Sequence, residues 1–549
     1  GYGSCADRRE ASKQQPMQLA SHVCVAVLAI GGALYFGALD GVFKDLSSSL
    51  ENAIGSSSSS SSSYAEWVMG KGVSSVPILE WEPGLLREVM RNNTPCVFVN
   101  SPATEWDAMQ RWNLNYLRSR ISDLTLVQES KEAGRDTYTY HVNNAPLAKL
   151  LDQKDYLPGY SSVGMTSDEF FLGLTNRSEE ERHIYYSGSL DQSDGKKSSA
   201  LLDIGDPKDL GLKKAAQEEG RGGEGSEILY VWMAKPGVKA HAHYDHEHNL
   251  FVQISGYKRF LLFPPSLQNE LEMYPALHPR QGQSRLDLEN PQSPRDRHWL
   301  AKIKDQMKYI VVEPGDVLYV PPLWVHHVTA FDSTMGPPVS VSIWASSSSK
   351  SVQEKLRQIT LPISEKWPLY LRWGSAYGFI LTLLATLKSN GEESECASRL
   401  REGKAPALSR KCLEGGSIAF VDLLRKSRYG MDGLLKGKTA PSEGTRKYEC
   451  KAHTGEGFVT VAPVQEGGWE EFVSLEAENL RALRDAAVQI SSLIRPLNPD
   501  ERKIIILDYI EDTLHAAVGI HNLLDSLLAF PMSCQLKNLT ATHAIPPSA

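Results

Sequence analysis

Apolar and polar positions divide this chain into unlike stretches. Leu19 to Leu39 runs for 21 residues without a Lys, Arg, Asp or Glu. About 20 apolar residues, at roughly 1.5 Å each, cover a hydrocarbon core of about 30 Å. The run predicts a single-pass membrane helix; a signal-peptide core and a buried helix are the alternatives. Arg8, Arg9 and Lys13 precede it, so the tendency of basic flanks to stay cytoplasmic would place the remainder on the lumenal side, in the secretory pathway. A cytoplasmic or nuclear location is the competing expectation. Ser56 to Ser63 is an unbroken serine run that can bury nothing and reads as a tether. Residues 1–64 are therefore taken as arm, anchor and linker.

From Pro77 to Ser347 the texture is mixed. Trp112, Leu114, Leu117 and Ile121 recur near helical spacing, and Thr166-Ser-Asp-Glu169 before Phe170 is a capped helix start. After Glu227 short β-type runs dominate: Ile228 to Met233, Leu250 to Ile254, Arg259 to Phe263, Tyr309 to Val312, Val317 to Val320 and Val339 to Trp344. Turn signals at Lys235-Pro-Gly237, Ser255-Gly256, Pro264-Pro265 and Glu313-Pro-Gly-Asp316 separate them. Many short strands with Gly and Pro corners predict an antiparallel sandwich or jelly roll, a mostly β core with flanking N-terminal helices.

Residues 65–350 are read as one domain and 351–549 as a helical region that packs on the core or pairs subunits. Within it, Tyr377 to Leu387 is apolar over only 11 residues, which suits a buried or subunit-packing helix better than a second span. Gly391 to Gly468 is rich in glycine and charge. Asn498-Pro-Asp-Glu501 is an N-cap followed by proline, and Leu507, Ile510, Leu514 and Val518 then share a helical face.

Composition narrows the classes. Hydrophobic residues at 41% and charged residues at 23% are ordinary for a globular protein. A formal charge of -8 gives no general electrostatic reason to seek nucleic acid. Seven cysteines without a CxxC pair exclude a disulfide-stapled fold and a zinc ribbon.

The chemistry concentrates at Ala240 to Asn249, AHAHYDHEHN. In a strand alternate residues share a face, so His243 and Asp245 would point at one ion while Tyr244 points away. His326, in Pro321-Pro-Leu-Trp-Val-His326, would supply a third ligand from another β segment. Two imidazoles and a carboxylate on one side of an ion leave open positions suited to Fe(II) with a co-substrate and O2. A surface histidine cluster or a zinc site would use the same residues. His241, His246, His248 and His327 are assigned structural or surface roles. Lys258 stands in an otherwise apolar strand and needs a counter-charge if it points inward; the alternative is a surface lysine.

His243-Tyr-Asp245 with Asn249, Gln253 to Arg259, Leu262-Phe-Pro-Pro265, Pro314 to Pro321, Trp324 and His326 together resemble a jumonji-C oxygenase. The resemblance is greatest to its cupin-like hydroxylase branch, which includes the asparaginyl hydroxylase acting on hypoxia-inducible factor; Gln283 to Pro291 resembles the same branch. It covers about Pro77 to Ser347. It implies a double-stranded β-helix binding Fe(II) and 2-oxoglutarate, with O2 as co-substrate, and hydroxylation of a protein side chain with CO2 and succinate as co-products. It implies His243, Asp245 and His326 as iron ligands and catalytic centre. It further implies Lys258 and Tyr185 on the far carboxylate of 2-oxoglutarate, with Tyr186 the competing choice, and Asn249 near the co-substrate. Ser342 stands where the branch has an asparagine and Ala240 where it has a threonine touching 2-oxoglutarate. Trp344 would lie beside the substrate, or else in the core. N-methyl demethylation, hydroxylation of a modified tRNA base and a catalytically silent, membrane-tethered cupin binding module are the alternatives. Relatives of this kind often dimerise through C-terminal helices, so a homodimer is also an expectation.

Overall fold

The computed structural model describes residues 74–523 apart from 122–123, 133–134, 154–155, 177–181, 191–197, 289–293, 332–335, 389–427, 430–447, 454–457 and 464–476. The apolar run Leu19 to Leu39, the serine run and most of Gly391 to Gly468 lie outside the described residues. Among the described residues no helix is long and apolar enough to cross a membrane. The expected single-pass membrane protein with a lumenal domain is therefore withdrawn. The short apolar segment beyond Trp367 is the helix Leu369–Lys388, whose Phe379, Ile380 and Leu383 pack inside a helical cluster.

Two sheets form the core. One holds six strands in the order β1 (Ser74–Ser75), β12 (Lys308–Val312), β11 (Tyr257–Phe263), β14 (Val325–Phe331), β9 (Lys239–His243) and β5 (Thr137–Tyr138). The other holds nine: β2 (Ile78–Glu80), β3 (Cys96–Val99), β13 (Val317–Val320), β10 (His248–Ser255), β15 (Val339–Ala345), β8 (Ile228–Ala234), β7 (Ile184–Gly188), β4 (Leu124–Ser130) and β6 (Tyr160–Met165). From β8 to β11 and again from β12 to β15 successive strands alternate between the sheets, as in a jelly roll. Gly256 makes the tight β10–β11 crossing at φ 65°, and a Cβ there would come within 2.6 Å of the Pro338 Cα.

Alternation along β10 explains why it lacks a polar face. Leu250, Val252 and Ile254 enter the outer core with the N-terminal helices, whereas Phe251 enters the inter-sheet core. There it meets Phe260 of β11 with ring centroids 5.0 Å apart. A strand covered on both faces reads as a continuous apolar run. Thr166 caps the helix Ser167–Thr175 through a full capping box with Glu169. The Trp112 to Ile121 periodicity is split, because Trp112 closes the helix Asp107–Arg111 and Asn113 caps the helix Leu114–Arg120, accepting from the Tyr116 N–H at 3.0 Å.

C-terminal helices close the molecule: Leu369–Lys388, Ala477–Ile494 and Pro499–Val518 share a core that includes Leu383, Ile490, Ile505, Ile510 and Leu514. Asn498 caps the last of them, its Oδ1 accepting from the Glu501 N–H at 2.9 Å. This helix is buried nearly all round, so its Asp508 and Glu511 require partners. Arg428 supplies them at 2.7 and 2.6 Å.

Candidate active site

β9 ends at His243, and antiparallel β14 sets His326 directly opposite it, with ring centroids 4.3 Å apart. Asp245 does not lie in that strand. It follows in the turn after β9, which corrects the expectation that the two residues share a strand face. The turn is pinned: the Asp245 carbonyl accepts from the Leu323 N–H at 2.7 Å, and Leu323 takes φ 65°. The Asp245 carboxylate thereby reaches 3.7 Å from His326 Nε2. One ligand atom from each of His243, Asp245 and His326 lies within 4.8 Å of the others.

Both imidazoles are oriented by the backbone. His243 Nδ1 meets the His241 carbonyl at 2.6 Å, and His326 Nδ1 meets the Trp324 carbonyl at 3.0 Å. A carbonyl can only accept, so each Nδ1 carries the proton and each Nε2 keeps its lone pair. Burial, and then the facing His243, push His326 down to about 4, which keeps the ring neutral as metal coordination requires. Two imidazoles and one carboxylate fit a divalent ion with positions left open.

Lys258 lies on the inner face of β11 and is only 3% exposed. Its Nζ stands 5.0 Å from the Phe251 ring centre and 6.0 Å from that of Trp232. Burial alone lowers it from 10.5 to about 7, so no carboxylate of the described protein compensates it. A buried lysine without a counter-ion fits an incoming carboxylate. Tyr185 stacks on the same Trp232 at 5.9 Å and abuts Tyr138 at 5.4 Å. Burial raises its hydroxyl well above the usual range, so it acts as a neutral donor. Tyr186 belongs to the outer core instead, where its hydroxyl accepts from the Leu190 N–H at 3.1 Å.

Asn249, in β10, is buried with an Oδ1 that lacks a hydrogen-bond partner. Ser342 faces β8 and accepts from Trp232 Nε1 at 2.8 Å. Trp344 is half-buried, 4.9 Å from Tyr230 and 5.9 Å from Trp232 between ring centres. The sequence reading missed Trp232, which touches both Lys258 and Tyr185; its place on an inward β8 position with Tyr230 was a readable signal. It also missed Tyr140, edge-on to His243 at 6.0 Å. Gln283, bridged to His243 through the backbone, was quoted only for the family likeness. Its Oε1 is buried and unpartnered.

The remaining histidines have their own contacts. His248 sits between the Tyr319 hydroxyl at 2.9 Å and the Arg221 carbonyl at 3.1 Å. His241 bonds the Ser284 carbonyl at 2.8 Å. His327 is buried, and His246 stands 5.5 Å from the Tyr244 ring.

Residues 83–351 match the family described as Cupin-like domain. Among curated proteins, the chain is 27% identical over 272 residues to the lysine-specific demethylase JMJ31 of Arabidopsis thaliana, covering 46% of each. It is 22% identical over 272 residues to the human bifunctional peptidase and (3S)-lysyl hydroxylase JMJD7, covering 46% of this chain and 79% of that one. It is 28% identical over 123 residues to tRNA wybutosine-synthesizing protein 5 of Danio rerio, covering 22% and 34%. The chain spans about half the length of the Arabidopsis demethylases it matches, 46% and 53%. These matches do not single out the asparaginyl hydroxylase branch.

Proposed function

We propose, for a chain whose residues 83–351 belong to the cupin-like jumonji-C oxygenases, that it hydroxylates a protein side chain in an Fe(II)- and 2-oxoglutarate-dependent reaction. The observation that carries this reading is the convergence of His243, Asp245 and His326 in the same barrel as an uncompensated buried Lys258.

His243, Asp245 and His326 would hold the iron, and Lys258 with Tyr185 would hold the distal carboxylate of 2-oxoglutarate. Together the iron and 2-oxoglutarate supply an oxidant that inserts one oxygen atom of O2 into a C–H bond, with succinate and CO2 released. The chain's part is positional. The His241 and Trp324 carbonyls aim both Nε2 atoms inward. Trp232, Phe251 and Phe260 keep water from the Lys258 charge and so strengthen its pairing with an anion. Trp344 and Tyr230 form an aromatic wall against which a side chain could be fixed.

The test is mass spectrometry of lysate proteins incubated with the purified chain, Fe(II), 2-oxoglutarate and O2. A gain of one oxygen on a side chain, absent with Asp245→Ala, is the expected result. Loss of a methyl group with formaldehyde would favour the second reading, N-methyl demethylation, which the names of the Arabidopsis relatives support. Oxidation confined to tRNA would refute both.

A further inference from the structure

We infer that the C-terminal helix Pro499–Val518 is a positioning element of the metal site: Glu501 and Arg428, both outside the matched domain, hold the two histidine-bearing strands through separate hydrogen-bonded chains. This rests on the metal reading of His243, Asp245 and His326.

The first chain leads to His326. Glu501 is 2% exposed and pairs with Arg221 at 2.6 Å. Arg221 Nη2 also donates to Asn93 Oδ1 at 3.3 Å, and the Asn93 carbonyl accepts from Trp324 Nε1 at 3.0 Å. The carbonyl of Trp324 is the one that orients His326. The second chain leads to His243. Asp508 and Glu511 hold Arg428, and the Arg428 carbonyl accepts from Arg285 Nη2 at 2.7 Å. Adjacent Ser284 donates its N–H to the Ala242 carbonyl at 2.9 Å and accepts from His241 Nε2 at 2.8 Å. The His241 carbonyl orients His243.

Each chain thus ends on the hydrogen bond that fixes a ligand tautomer, the kind of support whose loss weakens metal affinity. Both start from charges buried too deeply to find water, so removing one partner leaves the other uncompensated. A helix held only by apolar packing would need neither.

The experiment is Mn2+ titration of the metal-free full chain by electron paramagnetic resonance, with near-ultraviolet circular dichroism to confirm native packing. The proteins compared are wild type, Glu501→Ala, Glu501→Gln, Arg428→Ala and Leu514→Ala, the last removing apolar packing of the same helix without removing a charge. Glu501→Ala and Arg428→Ala are expected to weaken Mn2+ binding about three- to tenfold, below the effect of losing a direct ligand-orienting group. Glu501→Gln, which keeps an acceptor for Arg221, should fall between Glu501→Ala and wild type and serves if Glu501→Ala does not fold. Leu514→Ala should lower the unfolding temperature and leave Mn2+ affinity unchanged. Co2+ spectra of the Glu501 and Arg428 variants should change in the ligand-field region. Unchanged Mn2+ affinity in the folded variants, or an equal loss in Leu514→Ala, overturns the inference while leaving the metal reading standing. A wild-type chain that binds no Mn2+ overturns both.

Discussion

Replacing Lys258 with methionine should move stability and co-substrate binding in opposite directions. The lysine is buried beside Phe251 and Trp232, and burial alone lowers it from 10.5 to about 7. Because the folded value lies below the unfolded one, the unfolded chain binds the extra proton between about pH 7 and 10.5. Stability therefore rises with pH across that window, and the penalty is complete below about pH 7. At about 1.4 kcal/mol for each tenfold step, the upper bound at low pH is roughly 4–5 kcal/mol. Exchanging buried charges for apolar groups of similar size commonly yields about 1–4 kcal/mol, and Lys258→Met should stabilise the metal-free protein within that range. The same change removes a charge-assisted pair worth roughly 1.5–3 kcal/mol, so 2-oxoglutarate should bind about 10- to 150-fold more weakly. Urea melts at pH 6.5 and 9, with calorimetric titration of 2-oxoglutarate into Mn2+-loaded protein, read both effects. Wild-type affinity should also fall about tenfold for each pH unit above 7 as the lysine loses its proton, a dependence missing from the variant. A destabilised Lys258→Met that binds 2-oxoglutarate normally would refute an inward, anion-seeking lysine.

Tyr185→Phe keeps the ring contacts with Trp232 and Tyr138 and removes only the hydroxyl. It should weaken 2-oxoglutarate binding by about tenfold with an unchanged melt, whereas Tyr186→Phe should leave that affinity alone. Ser342→Ala strands the Trp232 indole N–H that it accepts at 2.8 Å, and a urea melt should show a loss of about 1–3 kcal/mol. Asn498→Ala removes the cap on the Glu501 N–H, with about 1 kcal/mol lost and faster hydrogen exchange in the first turn of Pro499–Val518.

What could be read from sequence was whatever local spacing decides. Val317–Val320 was placed exactly as the strand runs and the other five β runs to within two residues at either end, because each is apolar and flanked by Gly or Pro. The caps at Thr166 and Asn498 were legible for the same reason: a short polar side chain precedes a helix whose first N–H groups need an acceptor. Less visible was anything set by distant partners. β9 stops at His243 because a turn anchored by Leu323, almost 80 residues away, takes over there, and nothing local announces it. β4 pairs with both β6 and β7 at the far side of the nine-stranded sheet, and these strands lack long apolar runs. Leu19 to Leu39, whose apolar length predicts a membrane span, lies outside the described residues, and among those no helix meets that requirement. The links from Glu501 to His326 could not be foreseen, since they join residues 175 apart in the chain through side chains of two other segments.

The central claim is that His243, Asp245 and His326 form one metal site that must be filled before 2-oxoglutarate binds. Its most direct test is sequential calorimetric titration of the metal-free chain, first with Mn2+ and then with 2-oxoglutarate, on wild type and Asp245→Ala. The account predicts one Mn2+ and then one 2-oxoglutarate per wild-type chain, and neither in folded Asp245→Ala. Wild-type Mn2+ affinity in the variant, or tight 2-oxoglutarate binding to wild type without metal, would contradict it.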